Sequence, residues 1–300
     1  MIKILKKTII VLLIFLLTGC SQGTESSQKQ STAPSSFSIT FLSVGQADAA
    51  VVACDGHYAM IDCGSESVQE NGFSSYKVDL FLEQEGITSF DYIFCSHYDE
   101  DHYAGFADIL DGRKIGKAYG PSGINDIDVQ SLNRFKNALS DQHKKIKTPK
   151  VGESFALGSS TIEVVAVDSY QSIRNRNDSS LVLLVTYGET KFLFTGDAES
   201  KTETAMINGK ISIKCDVLKV AHHGSPTSTS ESFLAKVKPT YAILTVAPDR
   251  DLPNGVVFDR LEAQDSIEKI FRTDETGNIT CKSDGKNITI YNTDGVQINE

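Results

Sequence analysis

The stretch His97-Tyr98-Asp99-Glu100-Asp101-His102 constrains this chain more than any other, because imidazoles and carboxylates alternate where an apolar run gives way to a helix start. Before it, Phe90-Asp91-Tyr92-Ile93-Phe94-Cys95 is apolar and aromatic enough for a buried strand, and after it Gly105 to Leu110 suits the opening of a helix. Such a strand-to-helix loop can aim several ligand-type side chains at one point. Asp99, Glu100 and Asp101 repel one another, and turning two of them inward beside imidazoles is costly without a positive ion. A divalent metal removes that cost. The bland alternative is a solvated acidic loop carrying incidental histidines.

The first residues do not belong to a globular core. Lys3, Lys6 and Lys7 precede the apolar run Ile9 to Leu17, the layout of a secretory signal peptide over 1-19, and the run is short for a bilayer span. The ending Leu17-Thr18-Gly19-Cys20 resembles the bacterial lipobox, which implies lipid attachment at Cys20 and a membrane-anchored, extracytoplasmic protein of the bacterial cell envelope. Residues 20-36 are rich in Ser, Gln and Thr and read as a flexible tether, so the folded domain is expected over 37-300.

Cys54, Cys63, Cys95, Cys215 and Cys281 remain, an odd number with no Cys-x-x-Cys spacing, which suggests no disulfide framework. Most sit in apolar surroundings where a thiol packs as a small hydrophobe. The net charge of -10 disfavours indiscriminate binding to nucleic acid phosphates. A basic cluster of Arg134, Lys136, Lys144, Lys145, Lys147 and Lys150 reads first as a solvated face; bordering a site, it could guide an anionic substrate.

Strand patterns recur at Phe37 to Leu42, at Ala49 to Ile61 around an Asp55-Gly56 hairpin turn, and at 161-166, 181-185, 191-194, 215-220 and 241-244. Helical spacing covers 78-85, 199-206, 229-236 and 256-263, and short strands close the chain near 278-280 and 288-290. Two β-rich halves, each with helices, point to an α/β (α+β) four-layer αββα sandwich rather than a doubly wound sheet. No glycine-rich phosphate loop or dinucleotide fingerprint is present.

Two further strand ends carry ligand-type residues: Phe192 to Thr195 runs into Gly196-Asp197-Ala198, and Val217 to Ala221 runs into His222-His223-Gly224-Ser225. Alone, Asp197 reads as a helix cap and His223 as a core histidine. With the His97 loop, and with Phe41 to Asp48, Ile61-Asp62-Cys63-Gly64 and Asn177-Asp178-Ser179-Ser180, the chain resembles the metallo-β-lactamase superfamily. Within it, the pattern is similar to the hydrolase domain of the ComEC-type competence DNA-uptake proteins.

The resemblance implies two divalent metal ions, Zn2+ or Mn2+. His97 and Asp99 would bind one, Asp101 and His102 the other, and Asp197 both, with His222 or His223 completing the second site. It assigns catalytic roles to Asp101, Asp197 and His223, and has Asp62 orient an imidazole. Asn177, Asp178 and Ser225 would stand behind the ligands or against substrate. Departures from the subgroup's pattern are Ser43 for Asp, Ala47 for Gly, and Asp251-Leu252-Pro253 where Gly-His-Pro is common. Asp99 and the absence of a third histidine for the first metal make the site oxygen-rich, which shifts preference toward manganese without deciding it. The expected function is an extracytoplasmic, membrane-anchored metal-dependent hydrolase, a phosphodiesterase or nuclease acting on an anionic substrate such as DNA. The alternative is a non-catalytic binding lipoprotein with a degenerate site.

Overall fold

The computed structural model describes residues 36–64, 74–124, 127, 129–168 and 176–300. The expectations of a signal peptide over 1-19, lipid attachment at Cys20 and a tether over 20-36 lie, Ser36 apart, outside the described residues. Among the described residues, no helix is long and apolar enough to cross a membrane.

The chain first lays down β1 (Phe37–Phe41), β2 (Ala49–Cys54), β3 (His57–Cys63), α1 (Ser74–Gln84), β4 (Ser89–Phe94), α2 (Glu100–Tyr103), α3 (Phe106–Ile109), β5 (Lys114–Tyr119), α4 (Gln130–Asp141) and β6 (Ile146–Lys147). It continues through β7 (Ser154–Leu157), β8 (Ser160–Ala166), β9 (Val182–Tyr187), β10 (Thr190–Phe194), α5 (Ser200–Asn208), β11 (Val217–Lys219), α6 (Glu231–Val237), β12 (Tyr241–Leu244), α7 (Gly255–Glu262), β13 (Lys269–Arg272), α8 (Thr273–Thr276), β14 (Ile279–Ser283) and β15 (Ile288–Tyr291). These strands form one sheet of order β15-β14-β1-β2-β3-β4-β5-β6 and a second of order β13-β12-β11-β10-β9-β8-β7.

Three apolar layers hold them together. Between the sheets, Phe37 stacks on Tyr187 at 4.6 Å and Phe41 on Phe194 at 5.3 Å between ring centroids, within a buried cluster drawn from both sheets. A second cluster joins the outer face of the first sheet to α1, α3 and α4, and a third joins the second sheet to α5, α6 and α7. Helix, sheet, sheet, helix is the four-layer arrangement expected from the sequence. Phe41→Ala removes one of the contacts that span the sheets from a side chain that is 1 % exposed, and is expected to cost about 3–5 kcal/mol, measured as a shift in urea unfolding.

The first sheet is not drawn from the first half of the chain alone. β14 and β15 return from the end of the chain to the first sheet, where β14 pairs antiparallel with β1, Ile39 opposite Cys281. The alternation of buried Ile279, Cys281 and Ser283 with less buried Thr280 and Lys282 supplies one inward face for that pairing. The segment after Gly105 is also only the four-residue α3.

Parallel pairing of β3 with β4, of β10 with β11 and of β11 with β12 points the carboxyl ends of these strands the same way within each sheet. Every ligand-type cluster noted in the sequence follows one of these ends, where open α/β sheets hold their ligands.

Candidate metal centre

β3 carries Asp62 as its penultimate residue, β4 leads into His97, β10 into Asp197, β11 into His222 and His223, and β12 into Thr245. The loops converge on the Asp197 carboxylate, which is 2 % exposed. Its two oxygens face different neighbours. Oδ1 lies 3.1 Å from His102 Nε2 and 4.0 Å from His223 Nε2, while Oδ2 lies 3.9 Å from His97 Nε2 and 3.7 Å from His222 Nε2. Asp101 Oδ2 adds to the first group, 3.4 Å from His223 Nε2 and 3.9 Å from His102 Nε2. Asp99 Oδ2 adds to the second, 3.7 Å from His97 Nε2. Asp101, His102, Asp197 and His223 thus offer four ligand atoms all within 4.8 Å of one another.

The adjacent histidines separate because both take left-handed backbone, with φ of 50° at His222 and 51° at His223. Each such non-glycine residue costs on the order of 1 kcal/mol or more, a strain that persists where the surroundings enforce it. Here it turns His223 inward, at 1 % exposure, and leaves His222 with its side chain 25 % exposed at the rim.

Behind the ring, backbone and carboxylate acceptors set the tautomers. His102 Nδ1 donates to Asp62 Oδ2 at 3.0 Å and His223 Nδ1 to the Thr245 carbonyl at 2.7 Å, so Nε2 of each faces the centre. Asp62 is itself held by the Ser96 amide at 2.6 Å and the Ser96 hydroxyl at 2.7 Å, and the same hydroxyl lies 3.1 Å from His97 Nδ1. At the rim, Glu199 Oε1 lies 3.4 Å from His222 Nδ1 and accepts from Asn177 Nδ2 at 3.2 Å and Thr227 Oγ1 at 2.9 Å. Arg176 Nε pairs with Asp99 Oδ1 at 2.7 Å.

The sequence candidates fall into three places. His97, Asp99, Asp101, His102, Asp197, His222 and His223 are brought together, with Asp62 and Asn177 directly behind. Ser225 is buried in the turn after the histidines, its hydroxyl 3.0 Å from Thr227 Oγ1. Asp178 is not drawn to the ring; it accepts from the Thr202 amide at 3.3 Å and hydroxyl at 3.1 Å in the first turn of α5. Ser96, Glu199, Arg176 and Thr245 went unnoticed, since only tertiary folding gives them this role; the position of Ser96 beside His97 was the one available hint.

The ring has the donor atoms to hold a cation. The buried Nε2 atoms of His97, His102 and His223 and Oδ1 of Asp197 make no hydrogen bond among the described residues. Orphaned buried polar atoms carry a desolvation cost that a coordinated ion removes. Burial opposes charge on His102, yet Asp197, Asp101 and Asp48 outweigh it and raise the imidazole pKa well above its ordinary value; His223 is raised in the same way, by Asp197 and Asp101. Asp197 is correspondingly held well below the usual carboxylate range, where His102 and His223 outweigh its burial.

Without metal, then, the His102 and His223 imidazoles keep protons. Their contribution to stability is complete below the ordinary value of 6.5 and is lost as pH rises through the raised values. The chelated protein is expected to lose thermal stability progressively from neutrality upward, and added Zn2+ or Mn2+ to flatten the curve by replacing the protons. Thermal melts across that range check this; a chelated protein equally stable throughout would contradict it.

The departures at Ser43, Ala47 and Leu252 lie outside the ring. Ser43 donates twice locally, its amide to Asn278 Oδ1 at 2.9 Å and its hydroxyl to the Thr273 carbonyl at 3.0 Å. Ala47 is fully buried beside Gly64, and Leu252 precedes Pro253 in a loop tied to the histidine turn through Asn254 N–H and the Gly224 carbonyl, 3.0 Å. Cys63 and Cys95 do not join the ring; burial pushes both thiols up, and Cys95 donates to the His97 carbonyl at 2.9 Å. In the basic cluster, Arg134 pairs with Asp108 on α3 at 2.5 Å and Lys136 donates to the Ile127 carbonyl at 2.8 Å.

A four-layer sandwich with histidines and aspartates at these strand ends defines a class, and the family model of the metallo-beta-lactamase superfamily matches residues 42–247: the chain belongs to that superfamily. Among curated proteins it is similar to ComE operon protein 3 of Bacillus subtilis, 29% identical over 66% of this chain and 25% of the relative, and to Recombination protein 2 of Haemophilus influenzae, 33% identical over 72% of this chain and 25% of the relative. These are ComEC-type competence proteins, and the chain spans about a quarter of their length. Among solved structures, the metallo-beta-lactamase fold protein YhfI from Bacillus subtilis shares the fold at a TM-score of 0.55 and 12% identity, covering 82% of this chain and all of that one.

Proposed function

We propose that this protein is an extracytoplasmic hydrolase, anchored to the membrane through lipidated Cys20, that uses two divalent ions, Zn2+ or Mn2+, to cleave phosphodiesters, with DNA among its substrates. The Asp197 carboxylate carries the reading, because its two oxygens face two separate imidazole and carboxylate sets. His97, Asp99 and His222 would hold one ion with Oδ2; Asp101, His102 and His223 would hold the other with Oδ1. Mixed nitrogen and oxygen donors suit zinc and manganese, and His222 takes the position for which the sequence offered no third histidine.

The ions supply Lewis acidity that makes water nucleophilic near neutral pH and charge that offsets the negative charge developing on phosphorus. The chain's own residues do the rest. Asp101, with a side chain 35% exposed and its carboxyl held well below the usual carboxylate range by His102 and His223, stays ionised and would orient the attacking water by accepting a hydrogen bond from it. Asp62, Thr245 and Glu199 keep the imidazoles aligned, and Arg176 brings a guanidinium, partly exposed, to the edge of the site where a phosphodiester oxygen would lie. Similarity to proteins named for competence and recombination supports a nucleic acid substrate, and the ring's completeness favours catalysis over a purely binding role. Metal-dependent cleavage of bis(p-nitrophenyl) phosphate and single-stranded DNA, with a lactam left intact, is expected. Failure to cleave any phosphodiester with either metal would sink the reading.

A further inference from the structure

Lys219 is a buried charge that the proposed chemistry does not use. It ends β11 at 2 % exposure and its ammonium forms an ion pair with Asp48, itself 6 % exposed. The enclosed space beside them, bounded by Phe41, Ile61, Leu181 and Phe194, is about 10 Å³, too small for a hydration shell. Protein groups must therefore satisfy the ammonium. It donates to the Gly196 carbonyl at 3.3 Å and lies 4.0 Å from Asp197 Oδ1.

Each partner leads to a different ligand-bearing segment. The Gly196 carbonyl also accepts the His222 amide at 3.2 Å, which ties the Asp197 turn to the histidine turn. Asp48 Oδ1 accepts from Thr245 Oγ1 at 2.5 Å, on the residue whose carbonyl orients His223. The Asp48 amide donates to the Asp101 carbonyl at 2.9 Å, and Asp48 Oδ2 lies 3.6 Å from His102 Nδ1. Asp48, Asp62 and His102 are grouped tightly enough to hold a cation, and the Lys219 ammonium already stands against Asp48.

From these contacts we infer that Lys219, paired with Asp48, is a positioning residue whose fixed ammonium locks the Asp197, His222-His223 and Asp101 segments in register for metal binding. A buried lysine serves here as a permanent internal cation. The inference rests on the metal-centre reading above, and its test separates the two.

Lys219→Met combined with Asp48→Asn removes equal and opposite charges, so net charge is unchanged, and neutral replacement of a buried pair is generally tolerated by the fold. By competition with a chromogenic chelator, the double variant is expected to bind Zn2+ about 10- to 100-fold more weakly than the wild type, the range for losing groups that support metal ligands. Circular dichroism and the metal-free melting temperature should stay near wild type, and Lys219→Arg, which keeps the charge, should recover part of the affinity. A wild type that binds no metal would overturn the metal-centre reading itself. A wild type that binds two ions and a folded double variant that binds them as tightly would overturn only the role of Lys219. Should the double variant not fold, the 15N resonance of the Lys219 ammonium in the wild-type protein decides, with a shift on zinc addition expected and an unmoved resonance contradicting the inference.

Discussion

Asp197→Ala is expected to reduce metal-dependent hydrolysis by about a thousandfold or more, the equivalent of about 4 kcal/mol of transition-state stabilisation. The carboxylate stands within reach of both imidazole sets, so on the proposed two-ion reading its loss would affect both ions together. The fold should survive. Three apolar clusters that do not include Asp197 pack the strands around it, so the lost attraction to the imidazoles acts locally and leaves the sandwich folded. Steady-state kinetics on a phosphodiester with circular dichroism of the same sample measure both halves. A variant that keeps a tenth of wild-type turnover would exclude a bridging role.

Gly64→Ala should be nearly as damaging although Gly64 has no side chain to offer the site. A Cβ there would stand 1.6 Å from the Asp101 carbonyl oxygen and 2.9 Å from the Ala47 methyl. The same carbonyl accepts the Asp48 amide, and the Gly64 amide donates to the Asp48 carbonyl at 2.7 Å, so the backbone cannot step aside without moving Asp101. A cost of about 3 kcal/mol in stability is expected, the upper end for overpacking, together with loss of metal. Urea unfolding and metal content of the purified variant test this. Normal metal content would show that the loop is more compliant than its packing implies.

The parts legible in the sequence were those in which chemistry is local. The His97 to His102 loop, the Gly196-Asp197 turn and the paired histidines each announce a strand end by an apolar run followed by ligand-type side chains. What escaped notice depends on distant segments. Ser96 is an ordinary serine until Asp62 is placed against it, and Lys219 looks like one more charge on a short strand until Asp48, far away in the chain, comes beneath it. The sides taken by His222 and His223 follow from two left-handed residues, which composition does not reveal. The closing strands β14 and β15 were legible as strands, but alternation within a strand carries no information about which sheet it joins. Asp178 shows the opposite error: a carboxylate beside Asn177 looked available to the site, and the helix α5 that claims it begins more than twenty residues later.

The most direct test of the account is the anomalous scattering of crystals grown with Mn2+ or Zn2+. Two peaks are expected, one on each side of the Asp197 carboxylate, the first beside His97, Asp99 and His222 and the second beside Asp101, His102 and His223. A single peak, or one displaced from Asp197, would contradict the two-ion centre and with it the proposed hydrolysis.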